Sequence, residues 1–105
     1  MEALTVYITC PDLACAQRIG RELVQQKLAA CANILEGMHS IYWWEGELTE
    51  DREVVLLLKT RAGLAERLIE ATKQIHPYEV PCIVAWPISK ANPAYLNWIT
   101  QETQA

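Results

Sequence analysis

Three strand-like stretches of this chain are apolar on both faces. They are Val54–Leu58, Cys82–Trp86 and Ile41–Trp44. An antiparallel sheet with one face in water alternates apolar and polar residues, because successive side chains point to opposite faces. None of these stretches alternates in that way. The chain therefore has to form a sheet whose two faces are both shielded from water.

Hydrophobic periodicity divides the whole chain into strands and helices. Strands are predicted where apolar residues alternate or run together, and helices where they recur at helical spacing. Asp12 is a good N-cap for the first helix, and Pro77 ends the second. The predicted strands are Leu4–Cys10, Cys31–Trp44 with a bulge at Glu36–Gly37, Arg52–Thr60 and Val80–Ile88; the predicted helices lie between Ala16 and Leu28, between Leu64 and Ile75, and from Pro93 onward.

The order of these elements is βαββαβ followed by a short C-terminal helix. It predicts an α+β fold of the ferredoxin-like type, in which one antiparallel sheet carries both long helices on one face. The second and third strands form an unusually long hairpin that turns at Glu45–Glu47. Because the chain has 105 residues and no linker or repeat, residues 1–105 are expected to form a single domain.

Composition excludes several classes of protein. The chain has 9 Lys+Arg against 13 Asp+Glu and no basic cluster, which argues against binding to a phosphate backbone. Its apolar runs are far too short for a membrane span, and its start lacks a signal-peptide pattern, so we expect a cytoplasmic protein without a membrane partner. The four cysteines are then expected to be free thiols, and their spacing is not that of a zinc finger.

The two long helices can cover only one face of the predicted sheet. The other face would expose a larger apolar patch than soluble monomers usually tolerate. The C-terminal helix that begins near Pro93 is the alternative cover, but it is too short to hide the whole face. We therefore expect the chain to associate with copies of itself through the helix-free face.

Five motifs in one order resemble a known family. They are Lys27–Asn33, Ser40–Gly46, Leu58–Thr60, His76–Pro81 and Tyr95–Trp98. Together they are similar to the CutA family of divalent-cation tolerance proteins, over essentially the whole chain. The resemblance implies a ferredoxin-like subunit in a compact homotrimer, similar in architecture to the PII signalling proteins, with the sheets facing inward. It also implies a non-enzymatic role linked to the response to metal ions.

Some CutA proteins bind copper, and the resemblance implies where. The ligands proposed for bacterial members are a first-strand Cys and two adjacent His, which fall on Ile8, Ile75 and His76 here, so only His76 is kept. Cys10 lies on the same strand face as Ile8 and is the available substitute. Copper and zinc need several converging donors. We therefore expect no obligatory cofactor and at most weak binding of Cu²⁺ or another divalent cation.

A second candidate site follows from the resemblance to PII proteins, whose lateral clefts between subunits bind small effectors. The residues that suit such an inter-subunit cleft are Trp44, Glu53, Lys59, Tyr78 and Glu79. Lys59 is expected either to reach water or to pair with Glu53 or Glu79 of its own or a neighbouring subunit. This set either holds a ligand or locks the trimer. The alternative function is therefore a PII-like sensor of a small molecule.

Two rival classes have weaker support. An enzyme could pair Cys82 with His76 as nucleophile and base, although a thiol on a core strand is usually inert. An RNA-recognition module could stack bases on Tyr7 and Tyr42, but the acidic composition counts against it.

Overall fold

The computed structural model describes residues 2–104 and contains one sheet and three α-helices. The strands are β1 (Ala3–Cys10), β2 (Cys31–Trp44), β3 (Glu47–Arg61) and β4 (Ile83–Pro87). The helices are α1 (Leu13–Gln25), α2 (Ala65–Ile75), which a short 3-10 turn over Ala62–Leu64 precedes, and α3 (Pro93–Glu102). All strand pairs are antiparallel, in the order β2-β3-β1-β4. The predicted α+β, ferredoxin-like fold is confirmed.

The first helix has the predicted N-cap but ends earlier than expected. Asp12 accepts a hydrogen bond from the Cys15 backbone N–H at 2.8 Å, which satisfies one of the free donors of the first turn. The helix ends at Gln25 rather than Leu28, because Lys27 takes a left-handed conformation with φ 59°. The N–H of Leu28 then bonds back to the Leu23 carbonyl, as in a Schellman motif.

Two predicted strand starts are also wrong. β3 begins at Glu47 rather than Arg52, because Glu45 and Gly46 both have positive φ and make a tight turn. β4 begins at Ile83 rather than Val80. Pro81 lacks the N–H that a ladder position requires, so the chain joins β1 only after it.

The core lies between one face of the sheet and the helices α1 and α2. Ile8 and Leu56 from the sheet and Leu68 from α2 are among its fully buried side chains. Gly20 of α1 lies close to the sheet, since a Cβ there would be 3.1 Å from the Cβ of Ala32. This contact brings α1 down onto the β2–β3 pair and fixes which sheet face remains uncovered.

The opposite face of the sheet, which we call the open face, is apolar and only partly covered. Its residues include Thr5, Tyr7 and Thr9 of β1, Leu35 of β2, Val55 and Leu57 of β3, and Val84 and Trp86 of β4. Leu35 is 58% exposed, Val84 46% and Trp86 45%. α3 packs Ile99 against Ala3 at one end of this face and leaves these three side chains in water. The expected open apolar face is therefore present.

The β2–β3 hairpin extends beyond the body of the domain. β1 pairs with β3 only from Val54 to Arg61, so residues 38–53, which we call the hairpin arm, have no further strand beside them within the described residues 2–104. The predicted bulge lies at the base of the arm, where the register shifts between Leu35 and Met38 and Gly37 has φ 88°. The arm carries exposed apolar side chains, including Trp43 at 71% exposure.

Candidate functional site

A cavity of about 710 Å³ lies between the hairpin arm and the segment 77–82 that leads into β4. Its lining includes four of the five residues predicted for the cleft, namely Trp44, Glu53, Tyr78 and Glu79. The open-face residues Tyr7 and Thr9 also border it, as do Met38, Tyr42 and Cys82. Strand alternation explains the grouping, because Met38, Tyr42 and Trp44 share a face of the arm and Glu53 lies opposite Met38.

His76 anchors the segment that forms one side of the cavity. Its Nδ1 accepts a hydrogen bond from the Tyr78 backbone N–H at 3.1 Å. The proton therefore sits on Nε2, which donates to the Thr9 carbonyl at 2.8 Å. The imidazole is buried and its ring packs on Tyr78 with centroids 4.9 Å apart. His76 thus ties the segment after α2 to the end of β1 with both ring nitrogens.

Glu53 and Tyr78 close the base of the cavity. The Tyr78 hydroxyl donates to Glu53 Oε2 at 2.8 Å, across 25 residues of sequence. Glu53 is only 7% exposed although it carries a carboxylate. Burial and then this hydrogen bond to Glu53 raise the pKa of Tyr78 well above its ordinary value. Tyr78 therefore remains a hydroxyl donor at any physiological pH.

Tyr42 makes a similar but exposed contact on the arm. Its hydroxyl donates to Asp51 Oδ2 at 2.5 Å, and this hydrogen bond is the main cause of its raised pKa. Met38 is also held, since the Tyr7 hydroxyl lies 3.3 Å from its sulfur. The hydroxyls of Tyr42 on the arm and Tyr7 on β1 are therefore already engaged.

The structure separates Lys59 from the other predicted cleft residues. Its Nζ donates to Asn33 Oδ1 at 3.2 Å, and Lys59 is absent from the cavity lining. Lys59 and Glu53 share a face of β3, but six residues of strand place them about 20 Å apart. Within residues 2–104 Lys59 therefore forms no ion pair with Glu53 or Glu79, and its pairing with a neighbouring subunit stays a prediction.

Neither of the two predicted metal ligands, Cys10 and His76, offers a free donor within one chain. Cys10 is fully buried, and burial followed by the neighbouring Cys15 raises the pKa of its thiol to about 12, so the thiolate that a metal needs is disfavoured. Both nitrogens of His76 already have protein partners. Within residues 2–104, no group of three or more His, Cys, Asp or Glu side chains is placed to hold a metal ion. The donors present in one chain do not fit a tight copper or zinc site.

The thiol of Cys82 borders the cavity but is poorly suited to nucleophilic chemistry. Burial and then the Glu53 carboxylate raise its pKa, so the reactive thiolate is disfavoured at neutral pH. His76 is not free to act as its base.

None of the helices described between residues 2 and 104 is long and apolar enough to cross a bilayer.

Comparison with known proteins identifies the family. The model of the CutA1 divalent ion tolerance protein family matches residues 4–102. The divalent-cation tolerance protein CutA of Thermus thermophilus is 47% identical over 98 residues, which cover 93% of this chain and 95% of that protein. The crystal structure of CutA1 from Oryza sativa superposes with a TM-score of 0.96 at 39% identity, covering 99% of this chain and 95% of that one. The Thermus thermophilus Cut A1 structure gives a TM-score of 0.94 at 45% identity, and the match covers 97% of this chain and 99% of that one.

Some relatives are longer and are named for other compartments. Protein CutA of Mus musculus is 40% identical over 99 residues. The match covers 94% of this chain but only 56% of the mouse protein, so this chain spans little more than half of that relative's length. The rice relative is named chloroplastic and the Archaeoglobus fulgidus structure periplasmic, so the cytoplasmic location stays a prediction. The named matches are CutA proteins, and the alternative of a PII-like sensor is not favoured. This chain belongs to the CutA1 family of divalent ion tolerance proteins.

Proposed function

We propose that this protein acts in the cellular response to divalent cations as a homotrimer without a catalytic step. Membership of the CutA1 family supports the link to divalent ions. The observation that carries the assembly is the open face, where Leu35, Val84 and Trp86 are about half exposed. An apolar patch of this kind on a soluble protein is typical of an interface.

The hairpin arm supplies the second part of the proposed interface. It projects beyond the sheet that β1 shares with β3, and it exposes Ile41 and Trp43 on its outer side. Large aromatic side chains of this kind are common anchors of protein interfaces. In the proposed trimer, each arm reaches over a neighbouring subunit while the open faces pack toward a common axis.

Native mass spectrometry tests the assembly. We expect the trimer to be the dominant species at micromolar concentration. Trp86→Lys places a charge in the open face and should shift the population to monomer, because burying an unpaired charge is costly. Lys73→Ala on the exposed side of α2 is the matched control and should leave the trimer intact. A wild-type monomer at this concentration would refute the assembly.

We further propose that divalent metal binding by this chain is weak and reversible. A metal at His76 would have to displace the hydrogen bond to Tyr78 or the one to Thr9, and Cys10 would have to ionise inside the core. Copper titration followed by calorimetry should therefore show weak binding that His76→Ala reduces. Lys73→Ala, which removes an exposed ammonium group that cannot ligate a metal, is the control and should have no effect. Tight binding that survives His76→Ala would contradict this proposal.

A further inference from the structure

We propose that Cys10 and Cys15 are a redox pair that forms a reversible disulfide when a low-molecular-weight disulfide oxidises the folded protein. The new bond would join the end of β1 to the first turn of α1. Cys10 lies with Val6 and Ile8 on the strand face that the helices cover, so the pair is away from the open face. The inference goes beyond the function proposed above and does not depend on the homotrimer.

The first argument is the position of the two thiols. Cys10 is the last residue of β1 and Cys15 is the third residue of α1, so that only residues 11–14 separate them. Both are free thiols, and both belong to one buried cluster. A side-chain hydrogen bond with Cys15 is among the causes that raise the pKa of Cys10. The two sulfurs are therefore already neighbours, and the N-cap hydrogen bond from the Cys15 N–H to Asp12 holds the turn between them.

The two thiols differ in how easily an oxidant reaches them. Cys10 is fully buried, whereas Cys15 is 7% exposed and lies in the first turn of a helix. Helix ends fray, so Cys15 becomes accessible before Cys10 does. The exposed side chain of Arg18 also donates from Nη2 to Cys15 Sγ at 3.8 Å, and a guanidinium at this position stabilises negative charge on the attacking sulfur. Cys15 is therefore the thiol that attacks the oxidant, and Cys10 is the thiol that completes the bond.

The reaction is thiol–disulfide exchange in two steps. The Cys15 sulfur attacks one sulfur of the small disulfide, whose S–S bond breaks, and one small thiolate leaves and takes up the proton that Cys15 lost. The Cys10 sulfur then attacks the Cys15 sulfur, and the second small thiolate leaves with the proton of Cys10. Two protein thiols are thereby oxidised to one disulfide, and one small disulfide is reduced to two thiols.

The pair is connected on both sides to the end of α2. On the strand side, the Thr9 carbonyl next to Cys10 accepts a hydrogen bond from His76 Nε2 at 2.8 Å. On the helix side, Arg18, which contacts the Cys15 sulfur, donates from Nη1 to the carbonyl of the last residue of α2 at 3.0 Å. A covalent bond brings the two sulfurs closer than their present contact, so at least one of these connections has to move. Oxidation of the pair should therefore change the surroundings of His76.

Peptide mapping of the native protein tests the bond, with oxidised glutathione as the probe. The remaining thiols are alkylated in denaturant before digestion with trypsin. Because Arg18 is the first Lys or Arg of the chain, one peptide carries Cys10 and Cys15 and neither of the other two cysteines. We expect this peptide to lose two hydrogen atoms, to escape alkylation and to regain both thiols after reduction with dithiothreitol. A peptide alkylated at both cysteines, one that carries glutathione alone, or a bond to Cys31 or Cys82 would overturn the proposal.

Two variants test the order of attack. Cys10→Ala removes the second thiol and should stop the reaction at a mixed disulfide of Cys15 with glutathione. Cys15→Ala should leave Cys10 as a free thiol, because Cys10 is fully buried. Cys31→Ala is the matched control and should form the bond between Cys10 and Cys15 as wild type does. Glutathione on Cys10 in Cys15→Ala would overturn the assigned order, and the wild-type peptide map decides the bond itself if a variant fails to fold.

NMR of the two imidazole rings tests the connection to α2. Oxidation of the wild-type protein should shift the ring-proton resonances of His76. Those of His39 are the internal control and should stay in place, because His39 is exposed on the hairpin arm. An unshifted His76 in a protein whose peptide map shows the bond, or equal shifts for both rings, would overturn the connection between the redox pair and His76.

Discussion

Beside the two hydrogen bonds of His76, the hydrogen bond from Tyr78 to Glu53 should help to hold the segment 77–82 against the sheet. Tyr78→Phe deletes only the hydroxyl and leaves the ring that packs on His76. A hydrogen bond to a charged group contributes about 1.5–3 kcal/mol. Tyr78 is half-buried and water from the cavity can replace part of the lost bond, so we reduce this range and expect a loss of about 1–2 kcal/mol.

The matched control for this variant is Tyr42→Phe. Tyr42 donates to Asp51 at 2.5 Å, a shorter distance than the 2.8 Å from Tyr78 to Glu53, but both partners are exposed on the arm. Water replaces an exposed hydrogen bond almost completely, so this variant should be close to wild type. The comparison therefore separates the effect of burial from that of hydrogen-bond length.

Equilibrium unfolding in urea measures both variants. At one fixed protein concentration, Tyr78→Phe should lower the midpoint by about 0.5–1 M, given the denaturant dependence expected for a chain of this size. Tyr42→Phe should not shift it measurably. Equal shifts for the two variants, or no shift for Tyr78→Phe, would show that the buried carboxylate does not hold the segment, and the reasoning would fail.

Three further predictions concern stability. Gly20→Ala should destabilise by about 1–2 kcal/mol, because its new Cβ would lie 3.1 Å from Ala32 Cβ and 3.2 Å from Leu56 Cδ1, a clash that outweighs the gain in helix propensity. Gly63→Ala meets nothing within 4 Å and should be neutral or stabilise by about 0.5 kcal/mol; thermal unfolding ranks the pair, and the reverse order would contradict the close approach of α1. Stability should fall as pH rises from 9 toward 12, because the folded state keeps the Cys10 thiol protonated (pKa about 12) after the unfolded state has lost that proton near 9.0. Urea titrations across this pH range should show a shallower fall for Cys10→Ala, and an unchanged slope would exclude Cys10 as the cause.

Local signals in the sequence predict most of the fold correctly. The N-cap at Asp12 and the bulge before Met38 depend on neighbouring residues alone, and both are confirmed. The starts of β3 and β4 were missed because they depend on where a partner strand begins. Glu45 adopts a positive φ that its residue type does not indicate, and Pro81 excludes a ladder position only when β1 is already beside it.

In the candidate site, too, the sequence predicts some residues correctly, while others depend on contacts between distant parts of the chain. The resemblance to PII proteins was enough to select Glu53, Tyr78 and Trp44, which the structure brings to one cavity. Lys59 lies apart from them within one chain, as counting strand residues from Glu53 shows, and its place in a cleft between subunits stays a prediction. The contribution of Tyr7 could have been found only from the pairing of β1 with β3 and β4, which joins distant parts of the chain.

The hairpin arm also determines in what order the chain acquires structure. Its two strands are adjacent in sequence and joined by a two-residue turn, so it can form within microseconds. The pairing of β1 with β4 joins opposite ends of the chain and must come later. A newly made chain therefore displays Trp43 and Trp44 before it has a core. Carboxylates near the tip of the arm limit aggregation before folding is complete, because the arms of two chains repel each other. These carboxylates belong to Glu45, Glu47, Glu50 and Asp51.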